Sequence, residues 1–224
     1  MALALAGCGS APRVARYRFT VEVDDNGRIV SGSSVQEEDC IFNDGLFKGM
    51  GNAVNCGVRG EAVVVDLGSK GQLFVSLIMD EARPHISVLP LDLLLFAHRD
   101  QHNSSISQVA NFDRLISSRD AATFSVANMP LMVHFASVDD PTSVERIDPE
   151  HLETSFGAGV NFARGTIVIA KDPLTTGIEK WIPWLDKLST RHASLDGDSS
   201  SSRLVKAPLA NQLFLVISKR GCKL

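Results

Sequence analysis

Four cysteines are the most reactive side chains in this chain of 224 residues. Cys40 and Cys56 lie in one glycine-containing segment, residues 37–60, and a disulfide between them would restrain a loop with little hydrophobic periodicity. In the chain-entropy model, closing a loop of this size stabilises a fold by about 3 kcal/mol. Sequence separation says little about geometry, so the pairings Cys40–Cys222 and Cys56–Cys222 and three free thiols stay open as alternatives.

Metal-binding patterns are weak in this sequence. The cysteines form no Cys-x-x-Cys pair, so no zinc site is predicted. His98 and His102 are four residues apart, which would put both imidazoles on one face of a helix. No third ligand and no glutamate of an H-E-x-x-H arrangement accompanies them, so a solvated helix end explains them better. The sequence therefore predicts no metal and no cofactor.

A group of carboxylates could bind Ca²⁺, which prefers oxygen ligands at short spacing. The group comprises Asp139, Asp140, Glu145 and Asp148. The regular spacing of an EF-hand loop is absent, and aspartate is common in turns for local reasons. Turns are therefore the preferred interpretation of these carboxylates.

Catalytic patterns are also missing. His134 could act as a general base on a predicted strand, but nothing nearby supplies a nucleophile. The sequence has no G-x-S-x-G elbow, no dinucleotide fingerprint and no phosphate-binding loop. Trp181 and Trp184 could anchor a partner protein, but their spacing with Leu185 is more typical of core residues. No catalytic residue is predicted.

The N-terminus combines an apolar run with small residues and a cysteine. Leu5, Ala6, Gly7 and Cys8 resemble the lipobox of bacterial lipoproteins, and a Gly-Ser-Ala-Pro stretch follows them. A complete export signal has a basic start and about 7–15 apolar residues. Residues 1–7 supply neither, so we expect a truncated signal segment whose first part lies upstream.

The resemblance implies that Cys8 is a lipidation site. In that family the thiol receives a diacylglycerol, the signal is removed before the cysteine, and the new N-terminus is acylated. Two chains anchor a protein stably, because each buried CH₂ contributes about 0.8 kcal/mol. Residues 8–16 would then be a lipid-anchored linker to a body facing the periplasm. Gly9 stands where an aspartate marks inner-membrane retention in Gram-negative relatives, which favours the outer membrane.

Composition indicates that the rest of the chain folds. It is 44% hydrophobic and 21% charged with a net charge of −4, which excludes a largely disordered protein. The mildly acidic balance is not the electrostatic footprint of a nucleic-acid-binding protein. No apolar stretch is long enough to span a bilayer as a helix. We expect one domain over residues 17–224.

The elements of this domain begin with a hairpin. Residues 17–23 alternate between apolar and polar, and Asn26-Gly27 is a strong hairpin turn. Short helices are predicted around Phe112, from Pro149 to Phe156, and around Trp184. The predicted fold class is α+β: a mostly antiparallel sheet built from hairpins, with short interspersed helices. Mobile loops are expected near residues 37–60 and 193–203.

Several stretches of the body also resemble an uncharacterised group of proteobacterial proteins. They include Pro130–Phe135, Asp139–Val144 and Phe156–Val160, and the likeness covers most of residues 17–190. This resemblance implies a bacterial origin and no particular activity.

Three hypotheses about function follow. The first is a lipid-anchored cell-envelope protein with a structural or protein-interaction role, whose partners are the membrane and another envelope protein. The second is an exported enzyme with an unrecognised active site. The third is a soluble cytoplasmic protein with a chance Leu-Ala-Gly-Cys pattern. The sequence leaves the partner, the choice of membrane and the oligomeric state open.

Overall fold

The computed structural model describes residues 13–42, 54–77, 108–118, 121–185 and 215–216. In these ranges the chain forms ten strands and two short α-helices. The strands are β1 (Arg13–Asp25), β2 (Arg28–Phe42), β3 (Val54–Glu61), β4 (Val63–Asp66), β5 (Gln72–Val75), β6 (Ala121–Phe124), β7 (Met132–Phe135), β8 (Val144–Ile147), β9 (Val160–Ile169) and β10 (Leu215–Val216). The helices are α1 (Gln108–Ser117) and α2 (Glu153–Phe156).

The strands form two antiparallel sheets. The six-stranded sheet has the order β10-β3-β2-β1-β9-β6, and the four-stranded sheet has the order β4-β5-β7-β8. The predicted α+β class is therefore wrong, because the described part of the chain is mostly β-sheet with only two short helices.

The helix predicted around Phe112 is confirmed as α1. The helix predicted around Trp184 lies partly outside the described residues: Ile178–Lys180 form a 3-10 turn, turns continue to Trp184, and Leu185, the last described residue of this range, is helical. The helix predicted to begin at Pro149 begins at Glu153, because the Asp148 carboxylate accepts the Glu150 N–H (3.0 Å) in a local turn.

The β1–β2 hairpin has the predicted turn. Asp25 pairs with Arg28 across it, and both turn residues have positive φ, 54° at Asn26 and 86° at Gly27. A type I′ turn requires this backbone conformation, which is why Asn-Gly favours it. The apolar face predicted for β1 is buried in the core, with Tyr17, Phe19, Val21 and Val23 at most 1% exposed.

Two predicted boundaries need correction. The linker expected over residues 8–16 ends earlier, because β1 begins at Arg13, which pairs with Cys40 of β2. The loop expected over residues 37–60 is largely strand, since β2 runs to Phe42 and β3 begins at Val54. Backbone pairing across three adjacent strands stabilises these residues despite their irregular hydrophobic pattern. The other expected loop, 193–203, lies outside the described residues.

The two sheets pack face to face around the main core. It combines the inward side chains of β1 with those of β4, β5 and β7, and α1 adds Phe112 and Leu115. A second apolar cluster covers the opposite face of the four-stranded sheet, where residues from the turns after β9 pack on β5 and β7. Its buried members are Ala62, Phe74, Leu131, Val133, Phe135, Val144, Ile178, Ile182 and Leu185. The four-stranded sheet is therefore buried on both faces.

Candidate functional site

Buried polar side chains concentrate in the second half of β2. We call residues 34–39 the polar segment; the members below 9% exposure are Ser34, Gln36, Glu37, Glu38 and Asp39. Val35 in the same stretch is also buried. A strand with one solvated face would bury only alternate residues. Both faces of β2 are covered here, so each charged group must be stabilised locally.

Glu37 is stabilised by two guanidinium groups. Arg16 Nε donates to its carboxylate at 2.7 Å, and Arg59 donates to the other carboxylate oxygen. Arg16 on β1 and Arg59 on β3 pair directly with Glu37 in the two ladders. Because the three side chains are cross-strand neighbours, the ion-pair network follows from the strand register.

Cys40 and Cys56 are also direct cross-strand partners, and they form a disulfide. Their Cα atoms are 4.1 Å apart. This is the pairing that the sequence favoured, although the segment was expected to be a loop. Cys40 is 1% exposed within the main core, and Cys56 is only partly buried at its edge.

Glu38 lies two residues before Cys40 and therefore on the same face of β2. Its side chain is fully buried, and its Oε1 atom is 3.5 Å from Cys40 Sγ. A ligand atom from each of Glu38, Cys40 and Cys56 lies within 4.8 Å of the others. We call this group the Glu38 cluster.

Glu61 marks the corner where the chain leaves β3 and enters the other sheet. Its carboxylate accepts the backbone N–H groups of Gly177 (2.9 Å) and Ile178 (3.0 Å). Its backbone carbonyl accepts the Ser34 hydroxyl and the Gln36 amide. Burial raises the pKa of Glu61, and the two N–H groups offset only part of that effect. Glu61 therefore fixes the turns after β9 to the junction of the two sheets.

Of the described histidine and carboxylate candidates, the structure brings His134 and Glu145 together. His134 on β7 faces Glu145 on β8, with 3.1 Å between Nε2 and Oε2, and its ring contacts Phe156 edge-on. Asp140 instead caps a turn by accepting the N–H and hydroxyl of Thr142, and these bonds lower its pKa. Asp140 and Asp148 thus have the local turn roles that aspartate favours, whereas Glu145 lies on a strand.

The two tryptophans differ in how deeply they are buried. Trp184 packs in the second apolar cluster, with its ring centroid 5.4 Å from that of Phe135, and its Nε1–H donates to Val138 O. Trp181 is 37% exposed, so its predicted place in the core is wrong. His98, His102, Cys8 and Cys222 lie outside the described residues.

Sequence reasoning missed Glu38 and Glu61. The signal for Glu38 was its position two residues before a cysteine, but this spacing has meaning only once the segment is known to be a strand. The prediction of no metal site relied on the absence of Cys-x-x-Cys, and nothing in the structure tests it. Glu38 and Cys40 lie on β2 and Cys56 on β3, so the Glu38 cluster is assembled from two neighbouring strands.

Comparisons with known proteins returned no family model, no curated protein and no solved structure that matches this chain. Both resemblances noted in the sequence therefore stay predictions. Among the described residues, no helix has the length and apolar character needed to cross a bilayer.

Proposed function

We propose that this chain is a lipid-anchored protein of the bacterial cell envelope, attached through Cys8 and acting as a structural or protein-binding body. The observation that carries the proposal is the sequence Leu5-Ala6-Gly7-Cys8 placed directly before a folded domain. Two acyl chains on this cysteine would anchor the protein stably, as their buried CH₂ groups contribute about 0.8 kcal/mol each.

Two features of the fold support this proposal. First, β1 begins at Arg13, so only residues 9–12 separate the proposed lipid from the first strand. The sandwich would therefore lie close to the membrane surface. Second, the Cys40–Cys56 disulfide fits an oxidising compartment such as the periplasm, where disulfides form and persist.

Metabolic labelling tests the anchor. The full-length gene, with its native upstream region, is expressed in a Gram-negative host that is fed radiolabelled palmitate. We expect label on the wild type and on Cys222→Ala, and none on Cys8→Ala. Cys222→Ala is the matched control because it also removes one cysteine. An unlabelled wild type, or a labelled Cys8→Ala variant, would show that the anchor does not exist.

Fractionation tests the location separately. The labelled protein should sediment with membranes and be released by detergent, whereas Cys8→Ala should leave the membrane fraction. On a density gradient the wild type should follow the outer membrane, as Gly9 after the cysteine favours. Recovery with the inner membrane would contradict the sorting prediction and leave the lipid anchor intact.

A further inference from the structure

We propose that reduction of the Cys40–Cys56 disulfide creates a zinc site, with Cys40, Cys56 and Glu38 as its three protein ligands. The inference does not rest on lipid attachment, because it uses only residues of the sandwich. It assigns the Glu38 cluster a chemical role beyond that of a structural cross-link.

The strands would keep the ligands in place after reduction. Cys40 and Cys56 occupy directly opposite positions of β2 and β3, and β2 is also paired with β1 from Arg28 to Cys40. Breaking the sulfur–sulfur bond therefore leaves the two Cα atoms held by backbone pairing on both sides of β2. Rotation about the Cα–Cβ bonds can separate the sulfurs to about 3.7 Å, the spacing expected for two thiolates on tetrahedral zinc.

In the disulfide form, Glu38 lies within reach of Cys40 Sγ as a third ligand. With Zn–S near 2.3 Å and Zn–O near 2.0 Å, tetrahedral geometry puts a ligand oxygen about 3.5 Å from a ligand sulfur. The observed distance from Glu38 Oε1 to Cys40 Sγ is 3.5 Å. Because Glu38 and Cys40 share a face of β2, the carboxylate reaches the sulfur without a change in the backbone.

The donor set favours zinc over hard cations. Two thiolates and one carboxylate combine soft and hard ligands, and thiolates select Zn²⁺ against Mg²⁺ or Ca²⁺. Cys56 is only partly buried, so water can supply the fourth ligand.

The chemistry has two balanced steps. A phosphine reductant cleaves the disulfide: the phosphine is oxidised to its oxide, and water supplies the oxygen atom and the two thiol protons. Zn²⁺ then displaces those two protons, so that both sulfurs bind it as thiolates. In a cell, a dithiol reductant would take the place of the phosphine and become a disulfide; in an oxidising compartment the Cys40–Cys56 disulfide persists until such a reductant acts.

Cobalt binding tests the site in the full chain carrying Cys8→Ser and Cys222→Ser, which leaves only the two cysteines concerned. The protein is reduced with phosphine, freed of reductant and titrated with Co²⁺. We expect one equivalent to bind with a thiolate-to-cobalt charge-transfer band, which Zn²⁺ then abolishes. The oxidised protein should give no band. A reduced, folded protein without this band would overturn the proposal.

A matched pair of variants tests Glu38. Glu38→Gln removes the charge at the cluster and should weaken zinc binding by at least about tenfold. Asp39→Asn removes a neighbouring buried carboxylate from the opposite face of β2 and should leave zinc binding unchanged. Equal affinities of Glu38→Gln and the unsubstituted background, or equal weakening by both variants, would exclude Glu38 as a ligand.

X-ray absorption at the zinc edge tests the two cysteine ligands independently of the Glu38→Gln variant. In the reduced zinc complex of the Cys8→Ser, Cys222→Ser protein we expect two sulfur neighbours at about 2.3 Å and lighter neighbours near 2.0 Å. A zinc ion with four sulfur neighbours or none would overturn the proposed ligand set. Neither result bears on palmitate labelling at Cys8, so the two proposals fail independently.

Discussion

The two ends of the β1–β2 pair differ in which side chains they bury. Near the turn, apolar side chains of β1 face the core and the intervening residues are at least partly exposed. At the other end, the polar segment of β2 is buried on both faces. One antiparallel ladder runs through both ends with continuous register. Regular hydrogen bonding therefore does not determine whether a strand carries an alternating pattern; the layers packed against it do.

Chain that pairs along the free edge of β2 accounts for part of the difference. Thr175 pairs with Val35: its N–H donates to Val35 O (3.1 Å), and its hydroxyl accepts the Val35 N–H (2.8 Å). The turns after β9 thus lie beside β2 where β3 turns away, and Glu61 holds them there through Gly177 and Ile178. Polar groups that would face water on an exposed strand therefore become part of a buried network, in which each group needs a hydrogen-bond partner.

The largest effect is expected at Gly32, in the part of β2 nearer the turn, where β4 packs against it. A Cβ at Gly32 would overlap the carbonyl oxygen of Val64, a backbone atom that cannot move alone. Gly32→Ala should destabilise the fold by about 3 kcal/mol or more. Gly27→Ala at the turn is the control: it meets no atom within 4 Å and should cost only about 1 kcal/mol for its positive φ. Urea unfolding measures both, and equal losses would contradict this packing.

Loss of the disulfide should have the next largest effect. Reduction, or the double variant Cys40→Ala, Cys56→Ala, should lower the free energy of unfolding by about 3 kcal/mol, because the unfolded chain is no longer cross-linked. EDTA is included so that no metal replaces the cross-link. Cys222→Ser should behave as the wild type. If reduced and oxidised protein unfold at the same urea concentration, the disulfide contributes no stability.

A smaller and pH-dependent effect is expected at Glu61. The pKa of Glu61 is higher in the folded protein than in the unfolded chain, where it is near 4.5. The protonated side chain therefore contributes its full stability below the unfolded pKa, and this contribution is lost as pH rises through the folded pKa. Glu61→Gln keeps one acceptor for the two N–H groups and should cost about 1 kcal/mol at low pH. That cost should shrink as pH rises.

Urea unfolding curves recorded from pH 4 to pH 8 check whether the cost of Glu61→Gln falls as pH rises. The exposed Glu150→Gln is the control, and it should preserve the wild-type pH dependence. A cost at Glu61→Gln that grows with pH would mean that the ionised carboxylate, and not the neutral one, stabilises this corner.

The smallest effect is expected for an ion pair on the solvated face near the turn. Arg164 Nε is 2.9 Å from Glu22 Oε2, but the arginine side chain is 58% exposed. Arg164→Ala should cost less than about 0.5 kcal/mol, and less still in high salt. Arg59→Ala should cost more, because the Glu37 carboxylate that it leaves is only 5% exposed. Equal losses of stability in Arg164→Ala and Arg59→Ala would contradict the difference in burial between the two ends of the β1–β2 pair.

The sequence predicted the parts of the fold that are governed by local rules. The Asn26-Gly27 turn, the buried face of β1 and the end of α2 at Gly157 follow from backbone preferences and a two-residue period. The predicted class was wrong because much of the expected loop over residues 37–60 is strand, and the helix predicted from Pro149 is only four residues long. Residues 37–39 of the polar segment were taken for part of a loop because strands buried on both faces carry no alternation to recognise.

By itself the sequence determined which residues could form a cross-strand turn, a lipid attachment site and a disulfide, since these depend on residue type and near neighbours. Only the tertiary structure decided that Glu38 lies beside the two sulfurs and that Glu61 holds residues 177 and 178. Such contacts join residues that are distant in sequence, or they can be recognised only once the strand register is known. Their positions depend on how two sheets pack, because burial is a property of the assembled layers and not of any single segment.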